Sequence, residues 1–323
     1  MARSRQAPRA SVSQDPSPPP AGMFEYPALR VAAARWSAYA QRNYFWLVRS
    51  EYGLLLLAAV LTAALALIGS PIAGTAPAPA VRYLYIFYVF CFIVSLGVML
   101  VRNLKKPEQD WYRARALAES LKTLSWRYCM RAEPFGDVDQ LPVRRAEFRE
   151  RLQLILRDNG GAGRSLDPQA GCGDQITASM ETVRALPLDA RKAFYLERRI
   201  REQRRWYTDK ASQNKTASTR WFIAGIAIYL IILLLVLSGL TQFKENPATG
   251  ILIVVASSVL GWVQLRKHNE LVSSYTIAAH EIGLLQDRCR EAMDEAGFAL
   301  FVGEAEQAFS REHTQWQARS TAG

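Results

Sequence analysis

The 323-residue chain is short of the residues that build most enzyme centres. Its four cysteines, Cys91, Cys129, Cys172 and Cys289, lie far apart, and no pair has the Cys-x2-Cys spacing of a zinc or redox site. That excludes a disulfide scaffold, and a reduced, cytosol-facing protein is the simplest reading. The three histidines, His268, His280 and His313, are widely spaced, and no His-Glu-x-x-His occurs. No Gly-x-Ser-x-Gly elbow presents a nucleophile. The Gly-rich stretch at 159–173 lacks the Gly-Lys-Ser/Thr ending that sets a lysine on a phosphate, so it reads as a flexible loop. Glu119 and Glu281 could serve as general acids, but basic neighbours on a helix make them ion-pair partners first. No catalytic residue, cofactor or metal is expected, and the chain is not expected to be an enzyme.

A different scarcity carries the positive argument. Half the residues are hydrophobic, yet the mean hydropathy is only −0.04, which means two unlike populations of segment. Charge is missing altogether from four runs: 52–68, 83–101, 221–243 and 248–265. A bilayer core about 30 Å thick needs roughly 20 helical residues at about 1.5 Å each. The run at 221–243 meets that length alone, and 52–68 and 248–265 are near the short limit. Two buried core helices in a soluble bundle would explain one such pair. Two tight pairs, joined by turn-prone GSPIAGTAPAPAVR and KENPATG, point instead to two transmembrane hairpins. The fold class expected is an all-α membrane protein with four spans and long helical cytosolic extensions. Residues 1–22, rich in Pro, Ser and Ala, read as a disordered tail, and no apolar h-region follows the early arginines.

The formal charge of +11 first suggests a polyanionic partner. Its distribution says otherwise. Residues 102–220 hold 25 Lys and Arg against 16 Asp and Glu, whereas the hairpin loops hold only Arg82 and the Lys244–Glu245 pair. Basic residues crowd the outer ends of the spans at Arg42, Arg49, Arg102, Lys105, Lys106, Lys215, Arg220, Arg266 and Lys267. The positive-inside rule puts both termini and the central segment in the cytosol, at the inner membrane. The partner implied is the lipid bilayer, and no nucleic acid is.

Beyond each hairpin an apolar stripe recurs at helical spacing. Leu117, Leu121, Leu124 and Tyr128 form the first; Leu271, Tyr275, Ala278, Ile282, Leu285, Cys289 and Ala292 form the second. Each half reads as a basic-aromatic helix, apolar run, turn, apolar run, basic end and heptad helix, which supports duplication of a two-span unit. The expected units are 23–135 and 187–319, with 136–186 as a linker or small insertion. Polar residues within the spans are few (Thr62, Ser95, Ser238, Ser257 and Ser258), and none is charged, so an ion or proton relay is not indicated. Small residues around Ala256, Ser257, Ser258 and Gly261 suit close helix approach.

Specific strings then resemble a known family. RARALAESLKTLSWRYCMRAEPF at 113–135 is similar to the third subtype of the bacterial SLATT domain. REQRRWYTDKA before the third span, SSYTIAAHE at 273–281 and SREHTQWQAR at 310–319 resemble the first subtype. The resemblance implies a tandem of two-transmembrane effector domains from nucleotide-signalled conflict systems. Such domains are proposed to oligomerise and to form a pore or perturb the inner membrane. It points to Glu119, Ser120, Lys122, Trp126 and Arg127, and to Trp206, Tyr207, Lys210, Tyr275, Glu281, His313 and Trp316, as family positions of unassigned role. It also implies a homo-oligomer triggered by a separate nucleotide-sensing or nucleotidyltransferase partner. The competing reading is a membrane-anchored scaffold or sensor that recruits a cytosolic partner through 105–220. A small-molecule transporter is disfavoured by the uncharged spans.

Overall fold

Proline sets where most helices begin. It occupies the first turn of α2 (Pro79–Lys105), α3 (Pro107–Cys129), α4 (Leu141–Asp158) and α8 (Pro247–Arg266), where its missing N–H costs no hydrogen bond. Pro27 precedes α1 (Ala28–Ile68), and Pro187 precedes α6 (Leu188–Tyr195). The remaining helices are α5 (Ala178–Ala185), α7 (Glu202–Leu240), α9 (His268–Arg290) and α10 (Glu295–Thr321). A six-residue π-helical stretch, Leu196–Arg201, joins α6 to α7 and buries Arg199 and Ile200. The computed structural model describes residues 24–68, 79–136, 140–160, 166–240, 247–291 and 293–321, and side chains of α10 as far as Ser310. No strand occurs among them. The tail at 1–22, both hairpin turns, Ala292 and part of the Gly-rich loop lie outside the described residues.

All four uncharged runs are helical over their described residues, and four helices are long and apolar enough to cross a membrane. Their side chains face outward: Phe222, Tyr83, Leu234 and Ile93 are each more than 60% exposed. A buried bundle in a soluble protein would hide these residues, so lipid is the medium that fits them. α1 and α7 run unbroken from basic prelude into span. The second span of each hairpin ends differently. Lys106 and Lys267 adopt left-handed conformations, with φ of 43° and 47°, and each starts a new helix at the next residue. The Lys106 amide donates to the Arg102 carbonyl at 3.0 Å and the Lys267 amide to Val263 at 3.1 Å, so both spans end on the same backbone turn. A left-handed lysine costs roughly 1–2 kcal/mol. Paying that twice, at matching places, is the structural counterpart of the duplicated sequence plan.

The chain folds into two compact units gathered from separated stretches. The first takes in residues 1–39, 111–191 and 295–323, the second 40–110 and 192–294. In the first unit the stripe Leu117, Leu121, Leu124 and Tyr128 forms the buried side of α3. The Phe148 ring of α4 packs at a tilt against Tyr128 and Phe135, with centroids 4.9 and 5.9 Å away. The stretch expected as a linker or small insertion supplies core residues, Met180 and Val183 of α5 among them. Phe298, Phe301, Val302, Ala305 and Phe309 complete the core from α10.

The second unit holds all four spans. Beyond them α7 packs along α9, with Tyr207, Ala278, Ile282 and Cys289 buried and Tyr275 and Leu285 half-buried. Burial pushes the Cys289 thiol up to about 11, as an apolar seam does to a group that must ionise.

Candidate functional site

Within the spans of the second unit the first and second helices and the last leave a cleft of about 360 Å³. It is lined by Tyr52, Leu55, Ala58, Ala59, Thr62, Phe92, Val254, Ser257 and Ser258. The small side chains on α1 and α8 keep the two helices from filling the space, and the hydroxyls give it polarity. The Thr62 hydroxyl donates to the Ala58 carbonyl at 2.9 Å, and Ser257 to Ile253 at 2.9 Å. Bonding one turn back hides the hydroxyl protons in an apolar medium and leaves the oxygens as acceptors.

At one edge Tyr52 reaches across to α8. A methyl group added at Gly261 would meet the Tyr52 hydroxyl at 2.5 Å, so the glycine is what permits this approach. Gly261→Ala is therefore expected to cost about 1 kcal/mol more beside Tyr52 than beside Y52F, the cycle cancelling alanine's better helix propensity. Thermal unfolding of the four proteins in detergent reads this coupling. A coupling near zero would show that the ring swings away freely.

The family positions fall into three places. Trp206, Tyr207 and Tyr275 form one aromatic cluster between α7 and α9, with ring centroids 4.9, 5.6 and 5.7 Å apart. Lys210 places its ammonium 5.8 Å from the Trp206 centroid. Glu281 is exposed on α9, apart from them. In the first unit Trp126 is almost fully buried, stacks on Phe24 at 4.9 Å, and donates its indole N–H to the Tyr26 hydroxyl at 3.0 Å. Arg127 donates to the Gly303 carbonyl of α10 at 3.0 Å. Glu119, Ser120 and Lys122 are half-buried on α3. His313 and Trp316 belong to α10, but their side chains lie outside the described residues.

Two features escaped the sequence reading. One is a polar cavity of about 410 Å³ lined by Arg201, Arg204, Arg205, Thr208, Asp209 and Gln286, where Arg204 donates to the Gln286 side chain at 3.2 Å. Glu197 already pairs with Arg201 there, and that hydrogen bond holds its carboxyl below the usual range. The other is a set of buried arginines at the end of α3. Arg184 donates to the carbonyls of Tyr128 and Phe135, and Arg191 to that of Met130 at 3.0 Å. Arg191 also pairs with Glu295 at 2.5 Å. Burial, then the hydrogen bond to Glu181, pushes the Tyr128 phenol far up, so it stays a donor. Guanidiniums on the last carbonyls of a helix satisfy orphan acceptors and oppose the negative end of its dipole.

Residues 27–192 match the SMODS and SLOG-associating 2TM effector domain 3, and residues 195–316 match the corresponding domain 1. No curated protein and no solved structure shows a match to the chain. The first match takes in the stretch at 136–186 together with the first hairpin, and the second holds the other hairpin and the aromatic cluster of α7 and α9. Joined to four lipid-exposed helices, these matches make the chain an all-helical, multi-pass membrane protein that belongs to the SLATT family, a third-subtype domain followed by a first-subtype one.

Proposed function

We propose that this protein is the membrane-acting component of a bacterial conflict or antiviral system, oligomerising on a trigger and opening a pore in the inner membrane or otherwise perturbing it. The observation that carries the reading is the pairing of two effector-domain matches with four lipid-exposed spans. The cleft at Thr62, Ser257 and Ser258 supports it, because hydroxyl oxygens beside small side chains can line a hydrated path once subunits assemble. One apolar-walled cleft is not itself a channel, so several copies are required. In this reading both termini are cytosolic, and a separate nucleotide-sensing or nucleotidyltransferase protein supplies the trigger.

The test is permeability. Full-length protein in dye-loaded liposomes is expected to release dye under an activating condition, and its overexpression to depolarise cells. Confirmed insertion with neither effect would overturn the reading. A second reading, a membrane-anchored scaffold recruiting a cytosolic partner, is favoured by the compactness of the first unit, which draws most of its core from 111–191.

A further inference from the structure

Arginines stand where the spans give way to the soluble helices, and they are not all in the same state. Arg102, past the second span, pairs with Glu51 at 3.2 Å. No carboxylate among the described residues pairs with Arg49 or Arg266. Arg49 precedes the first uncharged run by three residues, and Arg266 follows the last one directly. Both residues therefore lie within about one helical turn of the apolar boundary. Both also approach the same indole. Arg49 lies 5.6 Å and Arg266 5.7 Å from the Trp262 ring centroid, and Arg266 lies 4.8 Å from that of Phe45. Phe45 and Trp221 flank Trp262 at 6.1 and 6.5 Å.

This platform draws on α1, α7 and α8 within the second unit. Two like charges within about 6 Å of the same ring centroid repel each other, and the ring offsets only part of that. An anion between them would remove the repulsion. Guanidinium forks match phosphate oxygens bidentately, which an ammonium does not. Tryptophans beside them mark headgroup depth, where a lipid phosphate is already present and its glycerol end can rest on the rings.

We infer that Arg49 and Arg266, seated on Phe45, Trp221 and Trp262, bind the phosphate of an anionic phospholipid in the leaflet facing the soluble helices. The site uses only α1, α7 and α8 and is independent of the effector reading, so permeability results do not bear on it.

Native mass spectrometry of the full-length protein, released from micelles containing equal phosphatidylglycerol and phosphatidylcholine, tests this. The wild type is expected to retain phosphatidylglycerol in preference. R49Q/R266Q is expected to lower that retention about thirtyfold, corresponding to roughly 1 kcal/mol for each guanidinium. R42Q removes one positive charge from an exposed position outside the ring cluster and is expected to leave retention unchanged. R49K/R266K preserves charge and stem, guards against misfolding, and is expected to lose retention severalfold because the forks are gone. Equal retention of the two lipids by the wild type, or undiminished phosphatidylglycerol in R49Q/R266Q and R49K/R266K, would overturn the inference. Displacement of the lipid by millimolar inorganic phosphate would also overturn it, in favour of a site for free phosphate.

Discussion

Ser257→Asp is expected to abolish dye release and cellular depolarisation, whereas Ser257→Ala leaves both within about twofold. Ser257 sits midway along α8, ten residues from its start, and lines the intramembrane cleft beside Thr62 and Ser258. A carboxylate there costs about 2.5–3.5 kcal/mol on the insertion scale, a factor of roughly 100 in the equilibrium. It places a fixed charge where hydroxyls otherwise offer only weak dipoles. Alanine removes one acceptor from a lining that keeps Thr62 and Ser258, so its effect is small. Protease protection of the soluble helices separates the outcomes. Inserted but silent Ser257→Asp protein places the cleft in the permeation path. Inserted and fully leaky protein removes the cleft from it. In the scaffold reading the span substitution is tolerated and the variant keeps its effect in cells, and that result would displace the effector proposal.

What the sequence revealed, and what it hid, follow from one physical difference. Spans are legible because lipid imposes a rule on every residue of a run: the uncharged stretches 83–101 and 221–243 lie inside α2 and α7 as far as Leu240, where the described part of the run ends. The stripes on α3 and α9 were readable for the same kind of reason, since a buried face repeats every turn. Arg184 and Arg191 were not. An arginine in sequence reads as a solvated charge, and its burial depends on carbonyls contributed by residues about 50–60 positions away. Trp126 was singled out by its string, but its partners Phe24 and Tyr26 come from the far end of the chain, 100 residues earlier for the hydrogen bond. The interleaving of the two units was illegible for the same reason. Tandem order along the chain describes ancestry, while the compact units describe which surfaces found each other, and α1 contributes to both.

The paired lysine turns show where those two descriptions agree. KKP at 105–107 and RKH at 266–268 look unrelated as strings, and neither has the glycine that usually signals a left-handed residue. Both nonetheless end a span in the same conformation. A lysine near the last carbonyls of a helix meets the dipole favourably, and its charge stays at headgroup level. Charge placement therefore selected the residue, and the backbone bears the strain.

Arg184→Leu is expected to destabilise the first unit by about 3–5 kcal/mol, several times the effect expected of Gly261→Ala. The side chain is 3% exposed and donates to the Phe135 carbonyl at 2.7 Å and to that of Tyr128, both residues themselves fully buried. Its guanidinium carbon also lies 4.8 Å from the Tyr128 ring centroid. Leucine supplies apolar volume but no donor. The Phe135 carbonyl would then stand without that bond at about 1–3 kcal/mol, and the Tyr128 carbonyl, which keeps the Arg131 amide at 3.3 Å, would lose a charge-assisted bond at about 1.5–3 kcal/mol. Arg131 grips the Arg184 carbonyl through Nε and Nη2, at 3.0 and 2.6 Å, so the backbone of α5 is held from the α3 side even in the variant. Loss should therefore be local. Limited proteolysis is expected to cut α4 and α5 at lower temperature while the spans stay protected. Arg184→Lys restores charge but reaches one carbonyl at a time, and is expected to recover less than half of the loss. An Arg184→Leu protein that unfolds within about 0.5 kcal/mol of the wild type would mean that these carbonyls find other donors.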